Sequence, residues 1–352
     1  MFDLIGDGGH ELVMFCNHRD SGLRAVIAVH DTTLGPALGG VRMLPYASDE
    51  EAVRDALRLA KAMTYKASLA GLNLGGGKSV IIADPSCDKT EALFRTMGRY
   101  VQTLGGRYIP GVDSGTTQDD LRVIALEADH VSCVGADPSP FTAHGVHAAI
   151  GAAMLRLHGS SDMAGRKVAV QGVGHVGAAL AGLLARDGVE LVLSDVRMDA
   201  AEALAGELGA SVAEPDRIAA VPCDVFAPCA LGGVIDDRSL ETLDAAVVAG
   251  AANNVLAEPR HGVELHRRGV LYAPDYCANA GGIIFLAEEM LGHDAPAAER
   301  RVRGIARTLA TIWQRSSGDD LPPEAVAEHM AEERIAAIRR LGPPPLPSRR
   351  TY

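Results

Sequence analysis

Lysine is the scarcest charge in this chain. Of 33 basic residues only five are lysine (Lys61, Lys66, Lys78, Lys89 and Lys167), and the rest are arginine. Positive charge as a whole is also short. The formal net charge is -12 at pH 7, so a phosphate backbone is repelled on average and nucleic-acid binding is disfavoured. The six cysteines, Cys16, Cys87, Cys133, Cys223, Cys229 and Cys277, show neither CxxC nor Cys/His ligand spacing. Structural zinc therefore has no support, a disulfide scaffold is excluded by number, and the thiols are expected to be reduced and packed. No uninterrupted apolar stretch reaches the roughly 20 residues that a bilayer span needs. The opening MFDLIGDGGHELVMFCNH lacks the basic n-region and apolar h-region of a secretory signal. These absences predict a cytoplasmic protein with no membrane, nucleic-acid or metal partner.

The 352 residues, 47% of them hydrophobic, suffice for about two domains. Residues 24–30 and 78–82 read as short β-branched strands. Between them Ser48 and Glu51 form a capping-box signature ahead of a helical face carrying Ala52, Leu57, Leu59 and Ala60. Mixed strands and helices continue to about residue 135, where DPSP punctuates the chain before the small-residue helix HGVHAAIGAAMLRLHG. From Lys167 the rhythm is strand, Gly-rich turn, helix, strand, a βαβ unit. The near-continuous apolar runs CDVFAPC, DAAVVAGAA and GVLYAPD continue it, as strands of a parallel sheet buried on both faces do. Helices follow in GGIIFLAEEML, ERRVRGIARTLATIWQRS and PPEAVAEHMAEERIAAIRRL, and the Pro-rich tail is expected to be disordered. The fold class is α/β: a mixed α/β domain followed by a Rossmann-type, doubly wound parallel sheet.

Gly172-Val173-Gly174-His175-Val176-Gly177 is GxGxxG, between a predicted strand and a predicted helix, with Asp195 at the end of the next strand. That context is the dinucleotide fingerprint: glycines for the turn and close backbone approach, a helix N-terminus for pyrophosphate, a carboxylate for ribose hydroxyls. Asp195 would repel a 2′-phosphate and so favours NAD, with Arg197 nearby pulling the other way.

A second Gly-rich stretch, Gly71 to Ser79, holds Lys78 and follows Lys66 closely. It misses the P-loop pattern by one residue, because Leu72 stands where the first glycine belongs, and it leads into a strand instead of a helix. The alternative is a lysine held by a rigid glycine turn and aimed into a cleft. Two lysines close in space depress each other's pKa and burial adds to this, so one can bind a carboxylate while the other works as a neutral base. Asp113, in GVDSGT after the apparent strand RYI, reads either as a catalytic loop residue or as a turn former.

With these motifs in place, the chain resembles the glutamate/leucine/phenylalanine/valine dehydrogenases, through GPALGGVRM (35–43), DALRLAKAMTYKA (55–67), GLNLGGGKSVI (71–81), GRYIPGVDSGTT (106–117), QGVGHVG (171–177), APCALGG (227–233), GAANNV (250–255) and LYAPDYCANAGG (271–282). The resemblance implies reversible oxidative deamination of an L-amino acid to a 2-oxo acid and ammonium, with NAD as hydride acceptor. It implies that Lys66 holds the substrate α-carboxylate with the Gly40 backbone and Asn254. Lys78 would be the low-pKa base that activates water, and Asp113 would shuttle protons at the substrate nitrogen. Arg42, Cys229, Ala230, Ala251, Asn253 and Asn279 fall on the cofactor side. The resemblance further implies a substrate domain over 1–136 to which a C-terminal helix (322–341) returns, a nucleotide domain over 137–321, a tail over 342–352, an active cleft at the hinge, and a homo-oligomer.

For the side chain, glutamate-specific relatives carry a lysine and a serine where this chain has Leu38 and Leu286, so a γ-carboxylate would be desolvated between leucines and glutamate is excluded. Gly111 stands where leucine- and valine-acting relatives have alanine. The missing methyl is expected to enlarge a pocket shared with Met63 and Ile283, favouring phenylalanine or another aromatic over the alternative, leucine or valine. Ser114 replaces a usual valine, and the loop 129–145 is shorter than in several relatives. Two rivals are an NAD-responsive regulator without turnover, against which Lys66, Lys78 and Asp113 together argue, and a 2-hydroxy-acid dehydrogenase, whose reverse reaction would not need ammonium.

Overall fold

The computed structural model describes residues 5–6, 8–135 and 137–341; the tail expected to be disordered lies outside them. The chain divides into two compact units, one running to Asp137 and resuming at Ala331, the other Pro138–Met330.

The first unit contains, in chain order, β1 (Leu12–His18), β2 (Leu23–Asp31), β3 (Ala37–Leu44), α1 (Asp49–Leu69), β4 (Gly75–Ile82), α2 (Glu91–Thr103), β5 (Tyr108–Val112) and α3 (Gln118–Ile124). The strands form one mixed sheet in the order β1-β2-β4-β3-β5, with β3 parallel to both β4 and β5, and β2 antiparallel to β1 and β4. Because side chains alternate across a strand, the sheet has two separate apolar faces. Ile27, Val41, Met43 and Ile81 pack on Leu93, Phe94 and Met97 of α2. Val26, Ala28 and Val80 pack on Ala52, Val53 and Ala56 of α1.

The Ser48 side chain accepts from the Glu51 N–H at the start of α1. The expected capping box is only half formed, since the Glu51 carboxylate reaches past Ser48 and accepts from the Ala47 N–H. A larger correction concerns the glycines. Gly75, Gly76 and Gly77 make no turn ahead of Lys78; they are the first residues of β4 itself. Glycine in a strand marks a close backbone approach: at Gly76 the approaching group is α1, at Gly75 the Asp31 and Gly35 carbonyls, and at Gly77 the Tyr108 ring.

The second unit contains α4 (Ser139–His158), β6 (Lys167–Gln171), α5 (His175–Arg186), β7 (Glu190–Ser194), α6 (Met198–Leu208), β8 (Ser211–Val212), β9 (Cys223–Pro228), α7 (Asp237–Thr242), β10 (Ala245–Val248), α8 (Pro259–Arg267), β11 (Leu271–Tyr272), α9 (Asp275–Ala278), α10 (Gly281–Met290), α11 (Ala295–Val302), α12 (Ile305–Asp319) and the start of α13 (Pro323–Arg339). Its six strands are all parallel, ordered β11-β10-β9-β6-β7-β8. The order reverses between β6 and β9, the switch point at which doubly wound sheets bind ligands beyond their strand C-termini. Residues 299–316, read from sequence as one helix, are two. At Gly304 the N–H donates to the Arg301 carbonyl, a tighter i−3 bond that interrupts the i−4 ladder.

The later part of α13 belongs to the first unit, where it clasps α1: Tyr65 Oη donates to Glu332 Oε1 at 2.7 Å, and Arg334 donates to the Ser68 and Leu72 carbonyls. Among the described residues, no helix is long and apolar enough to cross a membrane, and all six cysteines are free.

Candidate active site

Three adjacent strands build the polar centre of the first unit. Leu38 and Gly40 of β3 share the α1-facing side of the sheet with Arg42, which reaches Asp55 of α1 at 2.9 Å. By the same alternation Gly76, Lys78 and Val80 of β4 face α1, and Asp113 immediately follows β5. Gly40 pairs with Gly111 across the β3–β5 ladder, which brings Asp113 against β3; a methyl on Gly40 would lie 2.6 Å from Asp113 Cβ.

The Asp113 carboxylate is the hub. Oδ2 accepts from the Lys78 amine, and Oδ1 accepts from Arg42 Nε at 2.9 Å and from the Ser114 N–H at 2.6 Å. A carboxylate has about four lone-pair sites, so one on Oδ2 is still open. Burial works to raise the Asp113 carboxyl, but Lys78 and Arg42 outweigh it and hold it well below the usual carboxylate range. Asp113 is thus ionised at neutral pH. Its contribution to stability is present above the ordinary carboxylate range and is lost as the pH falls below it.

Lys78 is 3% exposed. Burial lowers its amine pKa first, Asp113 partly restores it, and the Arg42 guanidinium lowers it again. The second cation depressing the amine is therefore Arg42, where the sequence suggested Lys66. Arg42, expected on the cofactor side, bonds Asp113 through Nε and Asp55 through Nη1. Asp55 in turn accepts from Tyr46 Oη at 2.7 Å and from Arg58 at 2.8 Å. Asp55 and Tyr46 escaped sequence reading, having no local motif and meeting Arg42 only through the fold.

Met63 and Lys66 lie three residues apart on α1, hence on one side of it, and both are half-buried. Gly76 sets how close that helix lies. A Cβ there would be 2.1 Å from the Thr64 nitrogen and 2.4 Å from the Ala60 carbonyl oxygen. Thr64 Oγ1 also bonds His30 Nδ1 at 2.8 Å, tying α1 to β2.

Gly111 does not open a larger pocket. A methyl added there would meet Ser132 Oγ at 2.9 Å and Cys133 Sγ at 3.3 Å. Ser132 is fixed by donating from both its N–H and its hydroxyl to the Pro110 carbonyl at 2.9 Å. The volume vacated by the missing methyl is filled from within the unit, which removes the argument for an aromatic substrate.

The remaining candidates belong to the second unit. Ile283 and Leu286 are buried on α10. Asn254 sits in the left-handed region at φ 53°, a conformation asparagine adopts more easily than most residues. Asn279 is buried and donates from Nδ2 to the Ala251 carbonyl and to Asn253 Oδ1; its own Oδ1 accepts from none of the described residues.

The GxGxxG segment lies at the switch point. Gly172, at φ 94°, packs on Ala230, and the Gly177 Cα approaches Cys229 and the Gly172 carbonyl too closely for a side chain. Gly174 is exposed, and a methyl placed on it would have nothing within 4 Å. His175 and Val176 begin α5 with no side-chain cap on its N–H groups. Asp195 accepts from the Val173 N–H at 2.8 Å and the Arg197 N–H at 2.9 Å. Burial works to raise its carboxyl, yet these N–H groups and the Arg197 guanidinium hold it below the usual range. Open space over Gly174, free helix N–H groups, an ionised Asp195 and the orphan Asn279 acceptor together fit a dinucleotide.

Comparison with known proteins agrees with this reading. Residues 10–130 match the family model described as Glu/Leu/Phe/Val dehydrogenase, dimerisation domain, and residues 194–316 match Glutamate/Leucine/Phenylalanine/Valine dehydrogenase. The chain is 46% identical to a leucine dehydrogenase of Bacillus cereus, covering 100% of this chain and 96% of that one. It is 44% identical to a valine dehydrogenase of Streptomyces virginiae, covering 94% and 95%. The crystal structure of L-tryptophan dehydrogenase from Nostoc punctiforme superposes with a TM-score of 0.84 at 42% identity, covering 96% of this chain and 99% of that chain.

Proposed function

The chain belongs to the Glu/Leu/Phe/Val dehydrogenase family, and on that premise we propose that it carries out the reversible oxidative deamination of a branched-chain aliphatic L-amino acid, leucine or valine, with NAD. The observation that carries this reading is the buried Lys78–Asp113–Arg42 cluster. We assign the first unit to the amino acid and the second to NAD. Gly172, Gly174, His175, Val176, Gly177, Asp195, Cys229, Ala230, Ala251, Asn253 and Asn279 would hold the cofactor, which when bound supplies the hydride acceptor for the substrate Cα.

Asp113 takes a proton from the substrate ammonium through the open site on Oδ2, leaving the amine whose lone pair drives hydride loss. The neutral Lys78 amine then takes a proton from water as its oxygen bonds to the iminium carbon. Asp113 returns its proton to the nitrogen, and Lys78 passes the proton it took from water to solvent. The regenerated neutral amine then removes the hydroxyl proton as the ketone forms and ammonia leaves; Asp113 is ionised again, and Lys78 loses this second proton to solvent before the next turnover. Lys66, on α1, holds the α-carboxylate as a fixed cation, helped by the Gly40 N–H.

For the side chain, Leu38 is buried and its own side chain has no group with which a carboxylate could pair. With the Gly111 argument gone, the leucine and valine relatives support an aliphatic substrate over the aromatic one that the tryptophan dehydrogenase relative takes. An amino-acid panel with NAD tests this. Leucine or valine should give the highest kcat/KM, and glutamate should fall at least about 100-fold below them. A maximum at phenylalanine or tryptophan would overturn the aliphatic reading and leave the reaction standing; no reduced cofactor with any amino acid would overturn both.

Cofactor choice has its own test. Asp195→Ala should raise the KM for NAD about tenfold and narrow the preference for NAD over NADP, because the variant loses the acceptor for ribose hydroxyls and the repulsion of a 2′-phosphate. The N-terminal family match is to a dimerisation domain, so copies of this chain are proposed to associate through the first unit. Light scattering coupled to gel filtration would report a monomer if that is wrong.

A further inference from the structure

The second unit holds a cavity of about 950 Å³ between α4, α5, α11 and α12, made entirely of residues between His144 and Gln314. Its aliphatic lining comes from Ala148 and Ala152 of α4, Leu183 of α5, and Ala306 and Ala310 of α12. The wall has an unusual charge for this protein. Arg186, Arg303 and Arg307 line it, and none of the three guanidiniums makes a hydrogen bond or ion pair among the described residues. Arg156 also lines it and donates to Ser317 Oγ, while the acidic residues there are Glu299 and Asp187, the latter bonded to His147 at 2.6 Å.

In a chain of net charge -12 most arginines near a carboxylate are paired with it, as Arg260, Arg267 and Arg301 are. Three free guanidiniums beside one apolar cavity are therefore a local excess of positive charge. Guanidinium is weakly hydrated and presents a planar fork of donors suited to carboxylate, phosphate or sulfonate oxygens. A mostly apolar pocket of this volume with a few convergent polar groups is the usual form of a small-molecule site. Arg303 ends α11 and Arg307 lies in the first turn of α12, on either side of Gly304; both line the cavity, as do Ala306 and Ala310, so the two guanidiniums can share one head group whose tail lies on the alanines.

We propose that this cavity binds an organic anion with an apolar body, its acidic head on Arg186, Arg303 and Arg307 and its body on the alanines. No residue of the dinucleotide fingerprint or of the Lys78 cluster lines the site, so occupancy does not depend on the proposed reaction. Nothing in the geometry prefers carboxylate to phosphate or sulfonate. The shared chemistry is a compact anionic head on a hydrocarbon body.

The probe is anilinonaphthalene sulfonate, read by fluorescence titration on the full chain with NAD saturating, and compared with uncharged phenylnaphthylamine. Saturable binding of one sulfonate per chain is expected, unchanged by NAD, with the uncharged probe at least about tenfold weaker. Arg303→Glu with Arg307→Glu should weaken sulfonate binding at least about tenfold. Ala152→Phe, which enlarges the aliphatic lining and leaves every charge in place, should weaken it similarly. Circular dichroism and NAD affinity check that each variant is folded, and Arg307→Gln replaces the double variant if that fails. Equal affinity in wild type and variants, displacement of the probe by NAD, or equal binding of the uncharged probe each overturns the proposal. Dodecanoate and dodecyl phosphate, competed against the probe, then distinguish a carboxylate from a phosphate ligand.

Discussion

Replacing Lys78 with alanine is expected to lower kcat for amino-acid oxidation by about 10³- to 10⁴-fold, the range lost when a positioned general base is removed. NAD affinity should be unchanged, because Lys78 belongs to the first unit and the cofactor fingerprint to the second. The fold should survive, since Asp113 keeps Arg42 and the Ser114 N–H as partners. Lys78→Arg separates charge from basicity: a guanidinium can still sit beside Asp113 but cannot give up its proton at working pH, so it should be nearly as inactive as alanine. In the wild-type enzyme, burial and Arg42 lower the amine pKa, so the ascending limb of kcat against pH should lie below the ordinary lysine value of about 10.4. Deprotonation creates the base, so deamination rises with pH through that limb, and the limb should vanish in both variants. Small primary amines added to Lys78→Ala should restore part of the rate. A variant with near-full activity would falsify the base assignment.

How much of this was legible in the chain depended on sequence distance. The dinucleotide unit was readable because its parts are contiguous: strand, three glycines, helix and acidic strand end all fall between Lys167 and Asp195, and each carries a local signature. Lys78 stood out because lysine is rare here. The network that tunes it did not, since Arg42 is 71 residues from Asp113 and 13 from Asp55, and no periodicity reports such contacts. Gly111 misled for the same reason: the atoms that fill the space of its missing methyl belong to Ser132 and Cys133, which the sheet brings back from a loop beyond α3. The Gly75–Gly77 run misled differently. Three glycines suggest a turn because glycine weakens a strand, but that penalty is outweighed where other groups must lie on the strand's backbone, as α1 does at Gly76.

The close approach of α1 to β4 also governs stability. Gly76→Ala should destabilise the protein by at least about 4 kcal/mol, in the range reserved for severe overpacking, and lower Tm by roughly 10 °C or more. The added methyl meets backbone atoms of α1, the Thr64 nitrogen and the Ala60 carbonyl, which cannot rotate aside. Thr64→Ala should therefore fail to rescue it, although it removes the hydroxyl that would also clash at 2.3 Å. Gly71→Ala is the comparison. Gly71 has φ 69° but no atom within 4 Å of the new methyl, so its cost should be only the left-handed strain of about 1–2 kcal/mol. If Gly76→Ala folds at low temperature, α1 must have lifted from β4 and carried Met63 and Lys66 with it. KM for the amino acid should then rise at least about tenfold while KM for NAD stays fixed, as expected when one substrate's binding groups move and the other's do not. A stable variant with unaltered amino-acid KM would mean that the distance between α1 and β4 does not set the position of Lys66, and the proposed carboxylate-binding role would lose its structural basis.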